Sequence, residues 1–187
     1  MNTTHFNLLG YLIFFEVLIT PISMAQVPQK LSNPDIGPAV YGILEIPQTP
    51  GPHPAVVILH GSNGWLPAFD FIAKDFADSG FVALTIDYYA ETGIDTGKVD
   101  KLNKWPYWQG MVRNAVDFLQ EHSSSYDCPV GLIGYSRGAF LAVSVASSIP
   151  EVRAVVDFYG GGGGGTEPLE SEVKHFPPLL ILHGEAD

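Results

Sequence analysis

The feature that most constrains the fold is a rhythm along the chain. Short apolar runs alternate with longer segments whose apolar residues recur at helical spacing. The runs are "AVVILH" (Ala55–His60), "FVALTID" (Phe81–Asp87), "PVGLIG" (Pro129–Gly134), "AVVDFY" (Ala154–Tyr159) and "PLLILHG" (Pro178–Gly184). They lack the apolar/polar alternation of a half-exposed strand, so they read as strands buried on both faces. Three helical segments lie between the first four. Phe69–Ser79 carries Phe69, Ile72, Phe76 and Ala77 on one face and is stopped by Gly80. Tyr107–His122 does the same with Met111, Ala115, Phe118 and Leu119, and Ser136–Ser148 is rich in small Ala and Val. Such alternation predicts an α/β fold: a parallel sheet with helices on both faces.

The rest of the chain is read around that frame. Val27–Pro38 is Pro-rich and expected to be irregular, and Ala39–Ile46 reads as an early strand. Ala90–Asn103 is polar and Gly-containing, and Gly160–Gly165 is a run of six glycines expected to be a surface loop. The run has none of the spacing of a phosphate-binding loop. No internal repeat is present.

The net charge is −11, from 9 basic and 20 acidic residues. Phosphate binding needs a basic patch, so nucleic acid is not an expected partner. The acidity reads as a solvated surface. Cys128 is the only cysteine, which excludes an intrachain disulfide, and its place before an apolar run suits packing better than reactivity.

The first 25 residues differ from the rest. Leu8–Ile19 is almost wholly apolar, broken by Glu16, and Pro21 and "ISMAQ" follow. Ser23 and Ala25 are small residues at the positions a signal peptidase accepts. The expectation is a signal peptide over residues 1–25, cleavage after Ala25, and a secreted or periplasmic domain over 26–187 with no stable membrane span after processing. Against it, residues 1–10 contain no Lys or Arg; an uncleaved anchor and a misassigned start are the alternatives.

The stretch "IGYSRGAFLA" (Ile133–Ala142) gives the fold its chemistry. Ser136 stands between a buried strand and a helix, with Gly134 and Gly138 two residues away on either side. A sharp turn at such a junction lifts a serine hydroxyl above the sheet edge, and side chains at the two glycines would collide with it. The helix N-terminus behind Ser136 supplies positive partial charge and free N–H groups. The pattern alone is common in a chain with 20 glycines; its position is what makes Ser136 a candidate nucleophile.

Taken in order, "PAVVILHGSNG", "GFVALTIDYYA", "GLIGYSRGA", "VVDFYG" and "PLLILHGEAD" resemble the dienelactone hydrolase family of α/β-hydrolases, from about Val40 to Asp187. The resemblance implies a mostly parallel α/β-hydrolase-type sheet flanked by helices on both faces and incomplete at the C-terminus. It implies Ser136 as nucleophile, where dienelactone hydrolase proper uses cysteine. It implies an oxyanion hole from the Arg137 amide and a second amide in His60-Gly61-Ser62, matched best by Ser62. Each donor of this kind is worth about 3 kcal/mol in the transition state. Gly61 stands where dienelactone hydrolase proper has a glutamate that pairs with its thiol. The catalytic acid falls on Asp187, and no metal or organic cofactor is implied.

In this family order the histidine base follows the acid, and Asp187 is the last residue. His60 and His183 end strands, His53 lies in a turn, His122 ends a helix, His175 lies in a loop and His5 belongs to the leader; none is expected to serve Ser136. The chain is therefore expected to lack a C-terminal strand, a helix and the catalytic histidine, and to be an inactive fragment of an active enzyme. The expected reaction is cleavage of a small-molecule carboxylic ester or lactone through an acyl-enzyme. The alternative is a non-catalytic binding protein on the same fold. Tyr88, Tyr89, Trp105, Tyr107 and Trp108 follow the second buried run, on the side where α/β folds bind ligands, and suit a pocket wall and core packing equally.

Overall fold

A computed structural model describes residues 29–31, 40–90, 101–160 and 176–185. The strands are β1 (Gln29–Leu31), β2 (Val40–Glu45), β3 (Ala55–Leu59), β4 (Val82–Ile86), β5 (Val130–Tyr135), β6 (Val152–Phe158) and β7 (Leu179–Leu182). The helices are α1 (Ala68–Asp78), α2 (Lys101–Glu121) and α3 (Arg137–Ala146). All seven strands form one sheet in the order β1-β2-β4-β3-β5-β6-β7. The two junctions β1/β2 and β2/β4 are antiparallel, and the other four are parallel. The expected mostly parallel sheet is present.

The sheet is covered on both faces because successive side chains of a strand point to opposite sides. Val57 and Leu59 of β3 join Leu84, Trp108, Met111 and Leu141 in the core under α2 and α3. Val56 and Ile58 of the same strand join Phe69, Ala73 and Ile133 under α1. Every residue of β3 and β4 is buried. Full burial of a Val, Leu or Ile contributes about 1.5–3 kcal/mol, which makes these central strands the main anchor of the fold.

Four readings of the sequence need correction. Gln29–Leu31, within the stretch expected to be irregular, pairs antiparallel with β2. Helix α2 begins at Lys101 rather than Tyr107 and carries Pro106 inside it. Proline breaks one helical hydrogen bond; here Trp105 and Trp108, 7% and 0% exposed, anchor the added turns while Pro106 faces outward. Helix α3 spans Arg137–Ala146, shorter at both ends than Ser136–Ser148. The last apolar run is a strand but not a buried one: Leu179, Leu180, Ile181 and Leu182 are 38–54% exposed. Among the described residues nothing pairs with the outer side of β7. The leader over residues 1–25, Gly161–Gly165, His175 and Asp187 lie outside the described residues.

Candidate active site

The chain leaves β3 through α1 to β4 on one side of the sheet. It leaves β5 through α3 to β6 on the other. The connections diverge between β3 and β5, and a crevice opens at the C-terminal ends of these strands, where ligands bind in open α/β sheets. Ser136 ends β5, and His60-Gly61-Ser62 ends β3.

Ser136 has φ 51° and ψ −114°, a left-handed conformation that L residues rarely adopt. Its backbone is fixed on both sides. Its N–H donates to the Phe158 carbonyl on β6 at 2.9 Å, and its carbonyl accepts from Ala139 at 2.9 Å and Phe140 at 3.2 Å, starting α3. The flanking glycines permit the turn. A Cβ on Gly134 would lie 2.3 Å from Ala139 Cα, and one on Gly138 would lie 2.4 Å from the Leu59 carbonyl oxygen. Helix α3 thus starts in backbone contact with the end of β3.

Gly61 lies against Ser136: a Cβ there would stand 3.6 Å from Ser136 Cβ. Its carbonyl accepts from the Gly64 N–H at 3.2 Å, which closes a turn over Ser62 and Asn63. Among the described residues, the Ser62 and Arg137 amides donate to no backbone carbonyl. A cavity of about 470 Å³ opens beside Ser136. Gly61, Ser62 and Asn63 form one wall; Leu66, Phe69 and Ile72, from α1 and the loop before it, form another, and Tyr135 and Tyr159 flank the serine. Burial, with a smaller contribution from nearby Tyr159, raises the Tyr135 hydroxyl above its ordinary range, so it stays neutral.

The aromatic residues after β4 resolve as core. Tyr88 and Trp108 are fully buried, Tyr89 and Trp105 are 7% exposed, and Tyr107 packs against the same cluster. None of them lines the cavity at Ser136. The histidines are also dispersed. His53 binds the Thr49 carbonyl before β3, and His122 rests on Phe118 before β5, both at the far end of the strands. His183 follows β7, two strands from β5. His60 is engaged by Asp87, at 3.3 Å. No described histidine lines the cavity. Among the described residues no cluster of three or more His, Cys, Asp or Glu could hold a metal, and no helix is long and apolar enough to cross a membrane.

Two groups of residues were not singled out from sequence. Leu66 and Tyr159 reach the cavity from loops. His60 and Asp87 meet because β3 and β4 pair Leu59 with Ile86, which sets the next residue of each strand side by side. The available signal was that both polar residues end an apolar run on adjacent parallel strands.

The strand order and the strained strand-to-helix junction place the chain among the α/β-hydrolases. Within that class it belongs to the dienelactone hydrolase family, which residues 40–187 match. It is 31% identical over 142 residues to human acyl-coenzyme A thioesterase 1, covering 76% of this chain and 32% of that protein. The mouse acyl-coenzyme A thioesterase 1 is 27% identical over 146 residues, 78% of this chain and 33% of the relative. The chain thus spans about a third of the length of these curated relatives. Among solved structures, the fold is shared with a dienelactone hydrolase-like promiscuous phosphotriesterase from metagenomic libraries (TM-score 0.68, 21% identity, 88% of this chain and 70% of that one). It is also similar to a dienelactone hydrolase from Anabaena variabilis (TM-score 0.55, 25% identity, 71% of this chain and 63% of that one).

Proposed function

We propose that this chain carries the nucleophile and oxyanion half of a serine hydrolase acting on a small carboxylic ester, lactone or thioester. The observation that carries the reading is Ser136 on a strained turn, beside the Ser62 and Arg137 amides, which donate to no backbone carbonyl among the described residues. Ser136 Oγ gives its proton to the base, which later passes it to the leaving group, and attacks the carbonyl carbon; the tetrahedral oxyanion accepts hydrogen bonds from the two N–H groups. The bond to the leaving group breaks, giving an acyl-enzyme that water then hydrolyses. The apolar wall of Leu66, Phe69 and Ile72 suits an uncharged acyl or aryl group. Thioesters enter the reading because curated relatives are named acyl-coenzyme A thioesterases.

Asp187 is the proposed acid, following β7 as the family order requires. The base is a histidine that the described residues do not bring to Ser136. That same observation favours the second reading, a binding protein on a hydrolase fold. Loss of one triad member still leaves roughly 10³–10⁴-fold acceleration over water from binding and the oxyanion hole, so the two readings differ measurably. The chain should hydrolyse p-nitrophenyl acetate above the buffer rate, and Ser136→Ala should abolish that excess without changing the circular dichroism spectrum. A variant that keeps the full rate would move the chemistry away from Ser136. Export is proposed as well: mass spectrometry of exported protein should find Gln26 at the N-terminus, and retention of Met1 on a soluble cytoplasmic product would refute it.

A further inference from the structure

The oxyanion side of the site rests on a buried polar pair that the reaction above does not use. His60 is fully buried. Its ring stacks on Tyr88, with centroids 4.0 Å apart and planes at 10°, while Tyr89 meets it edge-on at 4.7 Å and Phe69 of α1 stands at 6.4 Å. Both ring nitrogens face acceptors. Nδ1 is 2.9 Å from the Gly61 carbonyl oxygen, and Nε2 is 3.3 Å from Asp87 Oδ1. A carbonyl has no proton to give, and an ionised carboxylate has none either. The ring satisfies both contacts only by carrying a proton on each nitrogen.

Asp87 is held ionised. Burial works against its charge, but the His60 hydrogen bond and charge, with the Tyr89 and Ala90 N–H groups, outweigh that and bring it below its ordinary value. The Tyr89 N–H reaches Asp87 Oδ1 at 3.1 Å.

Tyr88 and the His60 ring hold the oxyanion loop at consecutive carbonyls. Tyr88 Oη donates to the His60 carbonyl at 2.7 Å, and the His60 ring donates to the Gly61 carbonyl. The next amide along the chain is that of Ser62. On the other side, Arg137 Nη1 donates to the Tyr89 hydroxyl, and Arg137 carries the second amide. The short strip Asp87–Tyr89 therefore touches both halves of the oxyanion site. We propose that His60 and Asp87 form a buried imidazolium–carboxylate pair that positions the Ser62 and Arg137 amides, the first through the Gly61 carbonyl and the second through Tyr89. They are positioning residues, and their catalytic consequence rests on the reading of Ser136 as nucleophile.

The test uses the full ¹⁵N-labelled chain. At neutral pH, long-range ¹H–¹⁵N spectra should show both His60 nitrogens protonated, and the Gly64 amide, which donates to the Gly61 carbonyl, should exchange slowly. Asp87→Asn should return the ring to a single proton and speed exchange at the Gly64 amide at least tenfold, with β3 and β5 amides unchanged. Misplacing a reacting group by about 1 Å costs up to ~10²-fold, so kcat on p-nitrophenyl acetate should fall about 10- to 100-fold while KM stays within about twofold. Should Asp87→Asn not fold, Tyr89→Phe carries the kinetic arm: it frees the Arg137 side chain, leaves the ring spectrum unchanged and lowers kcat. A singly protonated His60 in the unaltered chain overturns the proposal. So do unaltered loop exchange in Asp87→Asn and unaltered kcat in both variants. If the unaltered chain hydrolyses no ester, the nucleophile reading fails, and the ring spectrum and the exchange rates still decide whether the pair holds the loop.

Discussion

At the scale of single residues, the site is built from backbone approach more than from side-chain chemistry. Gly138 lets α3 begin against the Leu59 and His60 carbonyls, which a Cβ would meet at 2.4 and 2.5 Å. Backbone cannot yield as a flexible side chain can, so Gly138→Ala should destabilise by about 3 kcal/mol, at the upper end of overpacking costs. Urea unfolding measures this, and a loss under about 0.5 kcal/mol, the range of neutral surface changes, would contradict the packing described. This part of the site was legible in the sequence, because a serine between two glycines at a strand–helix junction has few geometries open to it. The His60–Asp87 contact was not. The two residues are 27 apart in sequence, and their meeting depends on the register of β3 on β4.

At the scale of elements, apolar continuity identified β3, β4, β5 and β6, whose central residues sit between helical layers. It failed where burial depends on a neighbour. β7 reads as a buried run, yet its leucines are exposed, because composition alone does not supply a covering element. β1 is three residues of edge strand, with too little pattern to detect. The start of α2 was hidden by Pro106, and tertiary packing supplied what local propensity withheld. Trp108 is the residue most responsible. It is fully buried, contacts the rings of Tyr88, Tyr89 and Trp105, and its Nε1 has no hydrogen-bond partner among the described residues, so its contribution is apolar contact. Trp108→Ala should cost about 3–5 kcal/mol. Phe71→Ala, on the exposed face of α1 at 59% exposure, should stay within about 0.5 kcal/mol. Similar costs for the two would mean that the aromatic cluster does not anchor α2.

At the scale of the whole molecule, the topology fixes the place of the chemistry. Connections that diverge from β3 and β5 leave a crevice, and the His60-Gly61-Ser62 loop and Ser136 stand on its two sides with an apolar cavity between Ser136 and α1. The family match over residues 40–187 covers this whole arrangement. The claim on which the account depends is that Ser136 is the group that attacks. A serine-directed fluorophosphonate incubated with the 187-residue chain, followed by peptide mapping, tests it most directly. The prediction is a single adduct on the peptide containing Ser136, slow to form, blocked by a competing short ester, and missing from Ser136→Ala. An adduct elsewhere, or equal labelling of Ser136→Ala, would contradict it.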